Sequence, residues 1–186
     1  MSDADSLYAR ALGELGAVFE RLDDAAVDRA VEAIANARHV AVFGGGREML
    51  QMRGFAMRLF HLGHPVSVTG DMTTPAVGPG DLFLLTCGPG EISTAVALVG
   101  VAKAAGARVL CITAQPAGRV PAMADEVLVL PAQTMADDQG ETRAVLPMGS
   151  VYEGALFVLF EVMVLKLKAV LGVSAEQMRA NHTNLE

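Results

Sequence analysis

Residues 81–94 read DLFLLTCGPGEIST. The first half, 82–87, is almost continuously apolar, as a strand buried on both faces has to be. The second half turns through Gly88, Pro89 and Gly90 into an Ala/Val-rich segment, 92–105, which reads as a helix with Gly106 as its C-cap. Strand, glycine turn and helix follow one another again upstream. Residues 39–43, HVAVF, form a short β-branched and apolar run; Gly44, Gly45 and Gly46 follow; then 47–62 places Met49, Met52, Phe55, Ala56, Leu59 and Phe60 on one side of a helix. Further strands are expected at 65–69, 107–113 and 126–130.

Residues 7–37 carry apolar side chains at helical spacing and read as two helices broken near Asp23 and Asp24, where an Asp can cap the second. Downstream of Pro131 the texture changes. The segment PAQTMADDQGETRAVLP is polar and long for a connection, and such segments often act as lids or interface arms. Residues 149–171 then predict one long helix, apolar almost all round, and Ser174 caps a last helix to about residue 180. A helix of that kind must be covered on more than one side, which points to a subunit interface. Strands alternating with helices predict an α/β fold: a three-layer sandwich with a five-stranded parallel sheet between helices, as one domain over 1–186.

Composition narrows the function classes. Hydrophobic residues make up 52% and aromatic ones 5%, so the core is built from Ala, Val, Leu and Met. The formal net charge is -7 with no Lys/Arg run, which argues against nucleic acid or an anionic membrane surface as partner. Two cysteines, Cys87 and Cys111, read as buried thiols of a reducing compartment. With no signal-peptide pattern at the start and no apolar run long enough to span a bilayer, a cytoplasmic protein is expected.

In an open parallel sheet, ligands sit at the carboxyl ends of the strands near the switch in strand order. GGGREM and TCGPGEIST are the two loops so placed, and each leads into a helix whose first amides attract anions. A dinucleotide site is not supported, because the third glycine of G-x-G-x-x-G falls at Met49, and there is no P-loop.

GGGRE, FAMRLFHLG (residues 55–63), Thr73-Thr74-Pro75, GDLFLLTCGPGE, PMGSVYE (147–153) and the terminal HTNLE (182–186) together resemble the sugar isomerase (SIS) domain, and more narrowly the 6-phospho-3-hexuloisomerases. The resemblance runs from about Leu12 to the C-terminus. It implies a homo-oligomer (tetramer or dimer), a small-molecule sugar or sugar phosphate as ligand, and isomerisation of a ketose phosphate by the enediol chemistry of the aldose–ketose type of isomerase, with neither metal nor organic cofactor. It also implies catalytic roles for Glu153, as the base, and for His182, in a tail that reaches an active site, often a neighbour's.

The substrate-binding candidates are Gly45, Gly46, Arg47 and Glu48 in the first loop, with Cys87, Gly88, Gly90, Glu91 and Ser93 in the second. The family tends to read G-x-G-R-S and S-G-S-G-E-T there, with hydroxyls and amides around the phosphate. This chain has Glu48, Cys87, Pro89 and Ile92 at the hydroxyl positions, and Pro89 lacks an N–H. A carboxylate about 4 Å from an anion costs roughly 4 kcal/mol at an effective dielectric near 20. The alternatives are therefore an isomerase or binding protein for a non-phosphorylated sugar or sugar acid, or a non-catalytic regulator. Arg47 is expected to bind ligand or to pair with Glu48 or Asp71. His61 and His64 are expected to cap a helix end, and Cys87 to pack as a substitute for Ser.

Overall fold

The computed structural model describes residues 6–137 and 144–185. Five strands form one sheet: β1 (Val40–Gly44), β2 (Val66–Val68), β3 (Leu82–Thr86), β4 (Arg108–Thr113) and β5 (Glu126–Val129). The order is β2-β1-β3-β4-β5 and every pairing is parallel, with Val42 opposite both Val68 and Leu84. The order reverses between β1 and β3. The two glycine loops leave the sheet at that point, side by side.

Side chains alternate between two cores. Val40, Val42, Leu82, Leu84, Leu110, Ile112 and Leu128 face α1 (Leu7–Phe19), α2 (Asp24–Ala35), α3 (Glu48–His61) and α6 (Ser150–Leu171). Ala41, Phe83, Leu85, Val109 and Cys111 face α4 (Ser93–Ala104) and α5 (Arg119–Met123). This accounts for the unbroken apolar strands, since neither face is left to water. The short helix α5 carries no periodic signal and was not expected from the sequence.

Local signals hold at the helix ends. Asp23 caps α2 by accepting from the Ala25 N–H, and Ser174 forms a capping box with Gln177 at α7 (Ala175–Ala180). α6 stacks Phe160 on Phe55 of α3, ring centroids 4.4 Å apart. Arg58 of α3 reaches Glu161, and Lys166 reaches Asp24 and Asp28 of α2. The expectation that Phe60 packs with its neighbours on α3 is corrected: it is exposed, as are Phe157 and Leu165 on α6. No described helix is long and apolar enough to cross a membrane. Of the polar segment 131–147, which reads as a lid or an interface arm, residues 138–143 lie outside the described residues; Asp137 accepts from Thr134 and Gln115.

Candidate active site

A cavity of about 390 Å³ opens between the two loops and the start of α6, lined in part by Gly45, Gly46, Arg47, Glu48, Tyr152 and Glu153. A larger cleft of about 670 Å³ follows the edge strand β2, where Arg53 and Asp71 pair with each other. The smaller one lies at the carboxyl ends of β1 and β3, where an open parallel sheet holds its ligands.

The start of α6 fixes one wall. Met148 and Gly149 both adopt the left-handed conformation, with φ of 56° and 81°. Such a conformation costs a methionine energy and is kept where surrounding contacts hold it. Here it turns the Met148 carbonyl toward Arg47, which donates to it and to Ser150 Oγ. Arg47 Nε lies 3.0 Å from Glu153 Oε2. Glu153 is in the first turn of α6, where the helix dipole favours a carboxylate. Burial pushes its carboxyl above the usual carboxylate range, and the Arg47 charge and hydrogen bond pull it back. A carboxylate so poised, on the wall of a small cavity, suits the transfer of a proton at carbon.

The floor is built differently. Glu48 opens α3, but its side chain turns down into the second loop and is buried. It accepts from the Gly88 N–H at 3.1–3.2 Å and from the Thr86 hydroxyl at 2.8 Å. Thr86 Oγ1 is 2.9 Å from Tyr152 Oη, which lies 3.1 Å from the Ile112 carbonyl oxygen. Burial pushes the Glu48 carboxyl up; the Thr86 and Gly88 hydrogen bonds oppose this, and the Glu153 charge adds to it. Gly88 is required here: a Cβ would meet the Tyr152 ring at 2.9 Å and Glu48 Oε1 at 3.0 Å.

Two expectations about Arg47 are thereby corrected. Its partner is Glu153 rather than Glu48 or Asp71. Glu48 is spent on the loop amide and Thr86, so it does not neutralise the guanidinium. The second-loop candidates fall in different surroundings. Cys87 packs in the α4 core, as expected of a substitute for Ser, and burial pushes its thiol up to about 12, away from the thiolate a nucleophile needs. Gly90 is buried and its N–H donates to the Cys87 carbonyl. Glu91 and Ser93 are exposed outside the cavity lining, with Glu91 3.8 Å from Arg119.

His182 is not brought to this cavity within the chain. Its ring stacks on His61 at the far end of α3, centroids 4.9 Å apart. Fourteen residues of helix, about 20 Å, separate that end from Glu48. His64 caps α2 rather than α3: its Nε2 lies 2.8 Å from the Ile34 carbonyl oxygen. Thr86 and Tyr152 were missed by the sequence reading. The signals were a hydroxyl closing an apolar strand and a tyrosine on a buried helix, each of which needs a partner. No cluster of three His, Cys, Asp or Glu side chains able to hold a metal occurs among the described residues.

Known proteins bear on this geometry. The SIS domain family model matches residues 33–158, which takes in both loops, the floor and the start of α6. A 3-hexulose-6-phosphate isomerase of Mycobacterium gastri is 40% identical over 147 residues, 79% of this chain and 73% of that one. Another, from Bacillus subtilis, is 29% identical over 178 residues, 96% of each chain. The crystal structure of a Methanococcus jannaschii protein, for which the function of a 3-hexulose-6-phosphate isomerase was inferred, superposes with a TM-score of 0.81 at 24% identity over the whole of both chains and supports the fold. The chain belongs to the SIS domain family.

Proposed function

We propose that this chain is a phosphosugar isomerase that interconverts 3-hexulose 6-phosphate and fructose 6-phosphate by moving a proton between adjacent carbons through an enediol, with no metal or organic cofactor. The observation that carries the reading is Glu153: a part-buried carboxylate, paired to Arg47, on the wall of the cavity at the strand-order switch. Relatives bearing the isomerase name across most of this chain support the same substrate class.

Glu153 takes the proton from carbon. Arg47 holds Glu153 ionised and lies beside the hydroxyls of the open-chain sugar, with Gly45 and Gly46 lending their backbone. His182 acts in trans. A tail about 20 Å from its own cavity serves a neighbouring copy's, so the working unit is a homo-oligomer, taken as a tetramer of single-domain subunits in the cytoplasm. The exposed Phe157 and Leu165 of α6 supply apolar surface for such contacts.

The test is direct. Purified protein is given 3-hexulose 6-phosphate with EDTA present, and fructose 6-phosphate is followed with a reporter dehydrogenase. Sustained turnover unaffected by chelator is expected; folded protein that forms no product overturns the reading.

A further inference from the structure

The cavity's charge runs against its proposed ligand. Its described lining carries one guanidinium, Arg47, against two carboxyls, Glu48 and Glu153. A phosphate monoester brings close to two further negative charges near neutral pH. The turn at 87–90 has no amide to spare. The Cys87 N–H donates to Ile112, the Gly88 N–H to Glu48 and the Gly90 N–H to Cys87, while Pro89 has none.

The floor instead contains a hydrogen-bond chain that works in either direction. With Glu48 ionised, Gly88 and Thr86 donate to it and Tyr152 donates to Thr86. With Glu48 protonated, it donates to Thr86 Oγ1, Thr86 donates to Tyr152 Oη, and Tyr152 donates to the Ile112 carbonyl. The Glu48–Thr86 and Thr86–Tyr152 distances, 2.8 and 2.9 Å, serve both states, while the 3.1 Å Tyr152–Ile112 contact carries a hydrogen only when Glu48 is protonated. Reversal moves hydrogens only. Glu153 has no such chain, and its Arg47 partner favours the ionised form.

We propose that Glu48 determines the charge specificity of this site: it takes up one proton when a phosphate monoester binds, so the dianion is admitted only as the floor carboxyl is neutralised. The balance is carboxylate plus phosphate dianion plus one solvent proton, giving the carboxylic acid beside the dianion. The proposal rests on the phosphosugar reading above. The other titratable groups facing Glu48 are Glu153 and Tyr152 from α6, Cys87 from the second loop and Cys111 from β4; the nearby cation, Arg47 of the first loop, is turned to Glu153. Burial pushes Tyr152 and both thiols upward, out of the window from about pH 7 to 9 in which phosphate monoesters are dianions.

The test is calorimetric titration of fructose 6-phosphate into the full chain, in two buffers of different ionisation enthalpy, across that window. Wild-type binding is expected to take up about one proton and to weaken by about tenfold per pH unit above the Glu48 pKa. Glu48→Gln reproduces the donor and acceptor pattern of the protonated carboxyl. It is expected to bind at least about tenfold tighter near pH 8, with no proton uptake and a flat pH profile. Wild-type binding without proton uptake overturns the proposal, as does uptake that persists in Glu48→Gln. If that variant does not fold, the wild-type pair of buffers decides. Absence of binding by wild type and variant alike overturns the phosphosugar reading itself and this proposal with it.

Discussion

The starts of α3 and α6 each place a glutamate in a first helical turn, and both glutamates reach the same cavity. At α6 the carboxylate of Glu153 stays on the wall, held by a guanidinium that is half exposed. At α3 the carboxyl of Glu48 turns inward, away from any cation, and is satisfied by one amide and one hydroxyl. Burial raises both, but only Glu153 has a positive partner to oppose it. Position in a helix therefore sets a preference for negative charge without setting a chemical role. The role follows from what the side chain meets: a cation suits a base that stays ionised, and a reversible hydroxyl chain suits a carboxyl that changes state.

If the two starts differ in this way, Glu153→Gln should have the largest effect. It removes the proposed base while keeping shape, and kcat for isomerisation is expected to fall roughly 10²- to 10⁴-fold. Arg47→Met comes next. Arg47 lowers the Glu153 pKa, so its loss lets burial raise that pKa further. The acid limb of the kcat/KM profile should then move to higher pH, with a drop of at least about tenfold near neutrality. An unmoved limb would mean that Glu153 is not the titrating base. The smallest effect is on the floor. Gly88→Ala pushes a methyl group against the Tyr152 ring and Glu48. Overpacking of that kind costs about 1–3 kcal/mol, seen as a lower denaturant midpoint at unchanged slope.

The sequence revealed the sheet and the α6 wall far better than the floor. The apolar strands at 82–87 and 107–113 could only be covered on both faces, and the glycine turns after 43 and 87 put the loops at the strand ends. Glu153 was readable because a first-turn position and a motif coincide. The direction of Glu48 was not, because it depends on the packing of α3 against the sheet and on Gly88 leaving room. Local spacing carries no trace of the Thr86–Tyr152 pairing either, since those residues stand 66 positions apart. His182 is a tail residue whose surroundings no periodicity fixes, and its own chain places it on His61. The short α5 has too few residues to show a period.

The most direct measurement is hydrogen exchange at carbon. Fructose 6-phosphate is incubated with the protein in D2O, and loss of the C3 hydrogen signal is followed by proton NMR. Formation of the enediol between C2 and C3 requires that hydrogen to leave. Wild type is expected to wash deuterium into C3, and Glu153→Gln, folded and still binding the sugar phosphate, is expected to leave C3 protonated. Exchange at the wild-type rate in Glu153→Gln, or none in wild type, would contradict the assignment of this cavity as the place where the proton moves.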